Sequence, residues 1–104
     1  METLDDLLLK MVDETMREVF SGAGSKVICD FLQNNCHLKP EEIAEKTEIF
    51  SAGLRRLLGS GALVIENLIL KNLYSKLGLK IEDKKGYGFS DYIKEVRKDF
   101  FAKT

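Results

Sequence analysis

Cys29, Cys36 and His37 are the chain's only thiols and its only imidazole, and they stand close together in the sequence. Such a trio is the raw material of a metal site or of cysteine-histidine nucleophilic chemistry. Zinc ligands usually pair two to four residues apart and need a fourth ligand or an open water position. Adjacent Cys36 and His37 beside a lone Cys29 do not supply that spacing, so we expect no metal and no cofactor. Nucleophilic catalysis needs a base held against the nucleophile and oriented by a third group. The sequence fixes no such partner for His37, which lies in a polar loop, and we expect no enzyme and no catalytic residue. On one helix the two cysteines would stand about 10 Å apart, beyond disulfide reach. Reduced thiols fit a cytoplasmic protein.

Two further stretches have the residue types for binding chemistry. Ser21-Gly-Ala-Gly-Ser-Lys26 has the flavour of a phosphate loop, but its glycines are too close, its lysine follows a serine, and a helix precedes it where a Walker loop requires a strand. It reads as a turn between helices. Lys39 to Leu58 reads like a helix-turn-helix, with Ile43 and Ala44 inward on the first helix and Leu54 and Leu57 inward on the second. In that alternative, Ser51, Arg55 and Arg56 face a DNA major groove, and Lys84 and Lys85 on a wing meet phosphates. Against it, Glu48 stands where a turn glycine is usual and the first helix is acidic. Gly53 costs the second helix about 1 kcal/mol. The carboxylate pairs Asp5-Asp6 and Glu41-Glu42 are explained by helix N-termini.

The elements that must position these groups are helical. Leu4, Leu7, Leu8, Met11, Val12, Met16, Val19 and Phe20 share one face of an amphipathic helix over 4–20, opened by a capping box of Thr3 with Asp6. Shorter helices are expected over 26–35 with Ser25 as N-cap, over 40–46 with Pro40 in the first turn, and over 52–58 with Ser51 as N-cap. Between Gly59 and Gly78 lies a helix apolar nearly all round, interrupted in its first half only by Glu66 and Asn67. Such a helix must be covered on nearly all sides. We expect its N-terminal turns to be the deepest part of the protein, and Gly78 to end it in the C′ position. Alternation through Leu79-Lys-Ile-Glu82, turn chemistry at Asp83 to Gly86 and the return at Tyr87 predict a short β-hairpin. Ser90 is expected to cap the last helix. The fold class is therefore mainly α, a compact domain of five to six helices with one short hairpin before the C-terminal helix.

Composition bounds the function classes. At 104 residues, 44% hydrophobic and 32% charged, the chain is one ordinary globular domain. The apolar helix would span about 24 Å, short of a bilayer core of roughly 30 Å, and no membrane association is expected. An acidic start argues against an export signal. Residues 1–50 hold five basic and eleven acidic side chains, whereas residues 51–104 hold eleven basic and six acidic. Two halves of opposite sign attract one another within a fold or across a dimer. Phe20-Ser-Gly-Ala-Gly-Ser-Lys-Val-Ile28 also echoes Leu57-Leu-Gly-Ser-Gly-Ala-Leu-Val-Ile65, as two helix-to-helix turns would.

Phe50, Leu54, Gly59-Ser-Gly-Ala62, Val64-Ile65, Leu73-Tyr74, Leu77-Gly-Leu79 and Gly86-Tyr-Gly-Phe-Ser-Asp-Tyr92 form a pattern over residues 24–96 that resembles the archaeal nitrosopumilus output domain family. The resemblance implies a helical, intracellular archaeal module that relays or receives signals by binding, here behind the N-terminal helix of residues 1–20. It brings no catalytic or ligand residues.

The combined expectation is a non-enzymatic helical domain that self-associates, as a homodimer, and acts by protein-protein contact with a partner the sequence does not name. Its core or dimer interface would be drawn from Leu8, Met11, Val12, Leu63, Leu70 and Tyr74. The alternative is a winged-helix-like DNA-binding regulator.

Overall fold

The computed structural model describes residues 3–102 and is mainly α. Its elements are α1 (Leu4–Cys36), a 3₁₀ turn (Pro40–Glu42), α2 (Thr47–Leu58), α3 (Gly61–Lys76) and α4 (Phe89–Ala102). Among the described residues there are four α-helices, not five to six, and no strand.

α1 consists of two helical arms that meet at a sharp bend. A straight helix of its 33 residues would run about 50 Å, and the longest dimension of the whole fold is 37 Å. The bend is at Ser21, whose φ of 65° and ψ of 176° lie in a region normally reserved for glycine. The stop expected at Ser21-Gly22 is real, but the chain re-enters a helix at once instead of after a loop. The Ser21 hydroxyl accepts the Gly24 N–H at 3.5 Å, so Ser21, not Ser25, caps the second arm. A Cβ on Gly24 would lie 2.8 Å from the Phe20 Cβ, which is why a residue without a side chain sits just inside the corner. The first arm starts as expected, with Thr3 Oγ1 accepting the Asp6 N–H at 3.0 Å and Asp6 Oδ2 accepting the Thr3 N–H at 3.1 Å.

The remaining boundaries follow from which side chains are engaged elsewhere. Only Pro40–Glu42 of the expected 40–46 helix is helical, as a single 3₁₀ turn. α2 then begins earlier than expected, at Thr47, because Ser51 is not a cap: it lies inside the helix and donates its hydroxyl proton to Glu66 Oε1 at 2.8 Å. Gly53 lets α2 cross α1 closely, since a Cβ there would lie 2.5 Å from Leu32 Cδ2 and 3.1 Å from Cys36 Sγ. α3 ends with Gly78 in the left-handed region at φ 69°, and the Leu79 N–H reaches back to the Tyr74 carbonyl at 2.9 Å, the Schellman pattern.

The expected hairpin over 79–89 does not form. Its first arm turns to α4: the Lys84 N–H donates to the Tyr92 hydroxyl at 2.9 Å, and the Lys84 ammonium pairs with Glu95. The returning arm is consumed by α4 itself, which starts at Phe89 and buries that ring 5.8 Å from Phe50. Four residues of alternation could not compete with those contacts. Nor does Ser90 cap α4; its hydroxyl is 2.9 Å from that of Thr47, and the Gly88 N–H is taken by Asp91 Oδ2 at 2.8 Å.

One core joins all four helices, centred on Phe50, Leu54, Ile69, Leu70 and Leu73. The oppositely charged halves meet through Arg97, whose guanidinium binds Asp5 Oδ1 at 2.6 Å and the Ala44 carbonyl at 3.0 Å, and through Lys94 and Glu48 at 3.1 Å.

Candidate interaction surfaces

α3 carries the clearest departure from the sequence expectation. Leu63 and Val64, in its first turn, are 58% and 59% exposed, whereas Glu66 is 2% exposed. The charged residue is inside and the aliphatic pair outside. Burial of Glu66 is tolerated because Ser51 faces it across the α2–α3 pair and supplies a hydrogen bond. The opposite face, Leu63, Val64, Asn67 and Leu68, is exposed over two turns and carries no charge until Lys71. On the side toward α1, Asn72 Nδ2 donates to the buried Thr15 hydroxyl at 3.0 Å, fixing α3 against the first arm. The N-terminal turns of α3 are thus half covered rather than deepest, because their neighbours reach them from the Glu66 side only.

Of the residues expected in core or interface, Leu8, Met11, Val12, Leu70 and Tyr74 are buried within this chain, and Leu63 is on the surface. Periodicity alone could not separate them, since α3 is apolar on both faces.

A second apolar surface is concave. The two arms of α1 diverge from Ser21 and enclose a cleft of about 270 Å³, walled by Val12 and Met16 on one arm and Ile28 and Leu32 on the other, with Ile43 and Phe50 beyond them. Asp13, Ser25, Cys29 and Glu41 are its polar groups. Burial, then the nearby Asp13 and Asp30 carboxylates, push the Cys29 thiol above its ordinary pKa, which keeps it protonated and a poor nucleophile. Cys36 lies farther along the same arm, where Arg56 Nη1 approaches its sulfur at 3.9 Å, and His37 ends the helix in the left-handed conformation at φ 52°. Both cysteines are free thiols. Among the described residues no three histidine, cysteine or carboxylate side chains converge as metal ligands.

The residues of the DNA-contact alternative are dispersed in their engagements. Ser51 is committed to Glu66, Arg56 lies 5.9 Å over the Phe31 ring, and Lys84 is paired with Glu95 and lies 5.4 Å from the Tyr87 ring centre. Arg55 and Lys85 are exposed. The segment that would be a wing follows α3 rather than α2 and has no strand pair.

The cleft was not legible in advance, because it depends on the angle at Ser21. The only sequence signal for it was the small-residue cluster Ser21 to Ser25, which marks a turn but not its direction.

No helix of the described residues is long and apolar enough to cross a membrane. No family model, curated protein or solved structure matches the chain.

Proposed function

We propose that this chain acts without catalysis, inside the cell, by pairing with a second copy of itself through the outer face of α3. The observation that carries the reading is the run of Leu63, Val64, Asn67 and Leu68, exposed and uncharged in a protein whose residues are 32% charged. A two-fold pair sets a surface against its own copy, so any net charge on it would repel itself. This face has none, and the chain's net charge of −1 adds little long-range repulsion between copies. A patch of a few hundred Å² falls short of the roughly 800 Å² per partner of a tight interface, so the dimer is a weak one that exchanges readily. That suits a module that meets other proteins, as the output-domain resemblance implies; the signalling part of this reading rests on that resemblance alone.

Sedimentation equilibrium over a concentration series tests it. The reading calls for a monomer-dimer equilibrium at tens to hundreds of micromolar that disappears in the double variant Leu63→Lys, Val64→Lys. A clean monomer throughout that range removes its support.

A further inference from the structure

The cleft between the arms of α1 has one hydroxyl, that of Ser25, in an otherwise largely apolar lining. Ser25 is mostly buried, but its hydroxyl oxygen, which makes no hydrogen bond within the described residues, remains open to the cleft that it lines. A hydroxyl in that position is free to bond water or a bound molecule. Ser25 is therefore a polar anchor presented to whatever fills the space. The space itself is large enough for a molecule rather than a stray water: its volume of about 270 Å³ compares with the roughly 150 Å³ of an engineered apolar cavity that takes up benzene. Val12, Met16, Ile28, Leu32, Ile43 and Phe50 offer an apolar wall to the body of such a molecule.

Charge then selects among apolar molecules. Among the described residues, the carboxylates lining the cleft are Asp13 and Glu41, and no lysine, arginine or histidine lines it. Asp13 holds Arg17 at 3.1 Å in an exposed pair, while Glu41 has no ion pair among the described residues. The charged side chains that line the cleft are thus acidic, and Asp13 and Asp30 add to the effect of burial in raising the Cys29 thiol. An anionic head group would be repelled and a cationic one drawn in.

We infer that the α1 cleft is a binding site for a small apolar amine of about ten non-hydrogen atoms, its hydrocarbon body on the aliphatic wall, its polar end bonded to the Ser25 hydroxyl, and its charge balanced by Asp13 and Glu41. The site is independent of the α3 face, so it operates in monomer and dimer alike.

Three probes of matched size separate the contributions: phenethylamine, 2-phenylethanol and phenylacetate, titrated into the isotopically labelled full chain and followed by amide chemical shifts. Phenethylamine is expected to move the resonances of Ser25, Cys29 and Ile43, the alcohol to bind more weakly, and the acid at least tenfold more weakly than the amine. Ser25→Ala should weaken amine binding about fivefold, the worth of one hydrogen bond. The double variant Asp13→Asn, Glu41→Gln, both at exposed positions, should erase the preference of amine over alcohol while leaving the fold intact. Absence of shifts with any probe at millimolar concentration overturns the site. Binding of the acid as tightly as the amine, or unchanged affinity in both variants, overturns the assigned chemistry.

Discussion

The outer face of α3 and the cleft of α1 are both apolar and both left uncovered by the other described residues, but one is convex and the other concave. A convex strip such as Leu63, Val64 and Leu68 gains burial only against another macromolecular surface. A concave one, with Phe50 and Ile43 behind it, already removes most of its wall from water and has room only for something small. The same excess of apolar side chains thus suits two different kinds of recognition, and the bend at Ser21 is what makes one of the two surfaces concave.

The largest effect should come from the shared backing of the cleft. Phe50 is fully buried, and Phe50→Ala should cost about 3–5 kcal/mol of monomer stability by denaturant unfolding, whereas Leu63→Ala should stay within about 0.5 kcal/mol. Equal losses would erase the distinction between the walls of the core and the exposed strip. Next is the inward side of α3: Ser51→Ala leaves the Glu66 carboxylate without its hydrogen bond and should lower stability by about 1–3 kcal/mol, measurable in the same experiment. Ser21→Gly relieves a backbone conformation that costs a serine about 1–3 kcal/mol but gives up the cap on Gly24 and adds unfolded-chain entropy. A net gain of about 1 kcal/mol or less is expected, read as a rise in melting temperature.

The smallest effect marks a region that belongs to neither surface. The Lys84 ammonium, then the Tyr87 hydroxyl, hold the Glu95 carboxyl below the ordinary range, and Glu95 holds Lys84 above its own. A depressed carboxyl contributes stability above its unfolded pKa of about 4.3 and loses it as pH falls through the folded value; a raised lysine contributes below about 10.4 and loses it as pH rises through the folded value. The difference in melting temperature between the native chain and Glu95→Gln should therefore be small and level across neutral pH and vanish in strong acid. A difference that grows on acidification would contradict the pairing.

Much of the architecture can be read from local signals. The Thr3 capping box, the stop at Ser21, the C′ position of Gly78 and the helical periodicities all involve residues within a turn or two of one another, and local chemistry is enough for them. The misread positions share a different property. Ser25, Ser51 and Ser90 have the residue type of an N-cap, but their placement was decided by partners distant in sequence or by the corner at Ser21: Ser51 met Glu66, and Ser90 met Thr47. The hairpin likewise yielded to the hydrogen bond from the Lys84 N–H to the Tyr92 hydroxyl and to the burial of Phe89 against Phe50. On α3 the hydropathy pattern favoured an aliphatic first turn in the core, yet the available neighbour, Ser51, suited Glu66 better than it suited Leu63. Candidate surfaces are legible only once those partners are placed, which is why Leu63 could be named in advance but not assigned.

The most direct measurement is the oligomeric state of the native chain beside Leu63→Lys, Val64→Lys by sedimentation equilibrium, with unfolding of both in parallel. The account predicts a weak dimer for the native chain, a monomer for the variant, and monomer stabilities within about 1 kcal/mol of each other. A native chain that stays monomeric at hundreds of micromolar, or a variant that dimerises equally well, would contradict it.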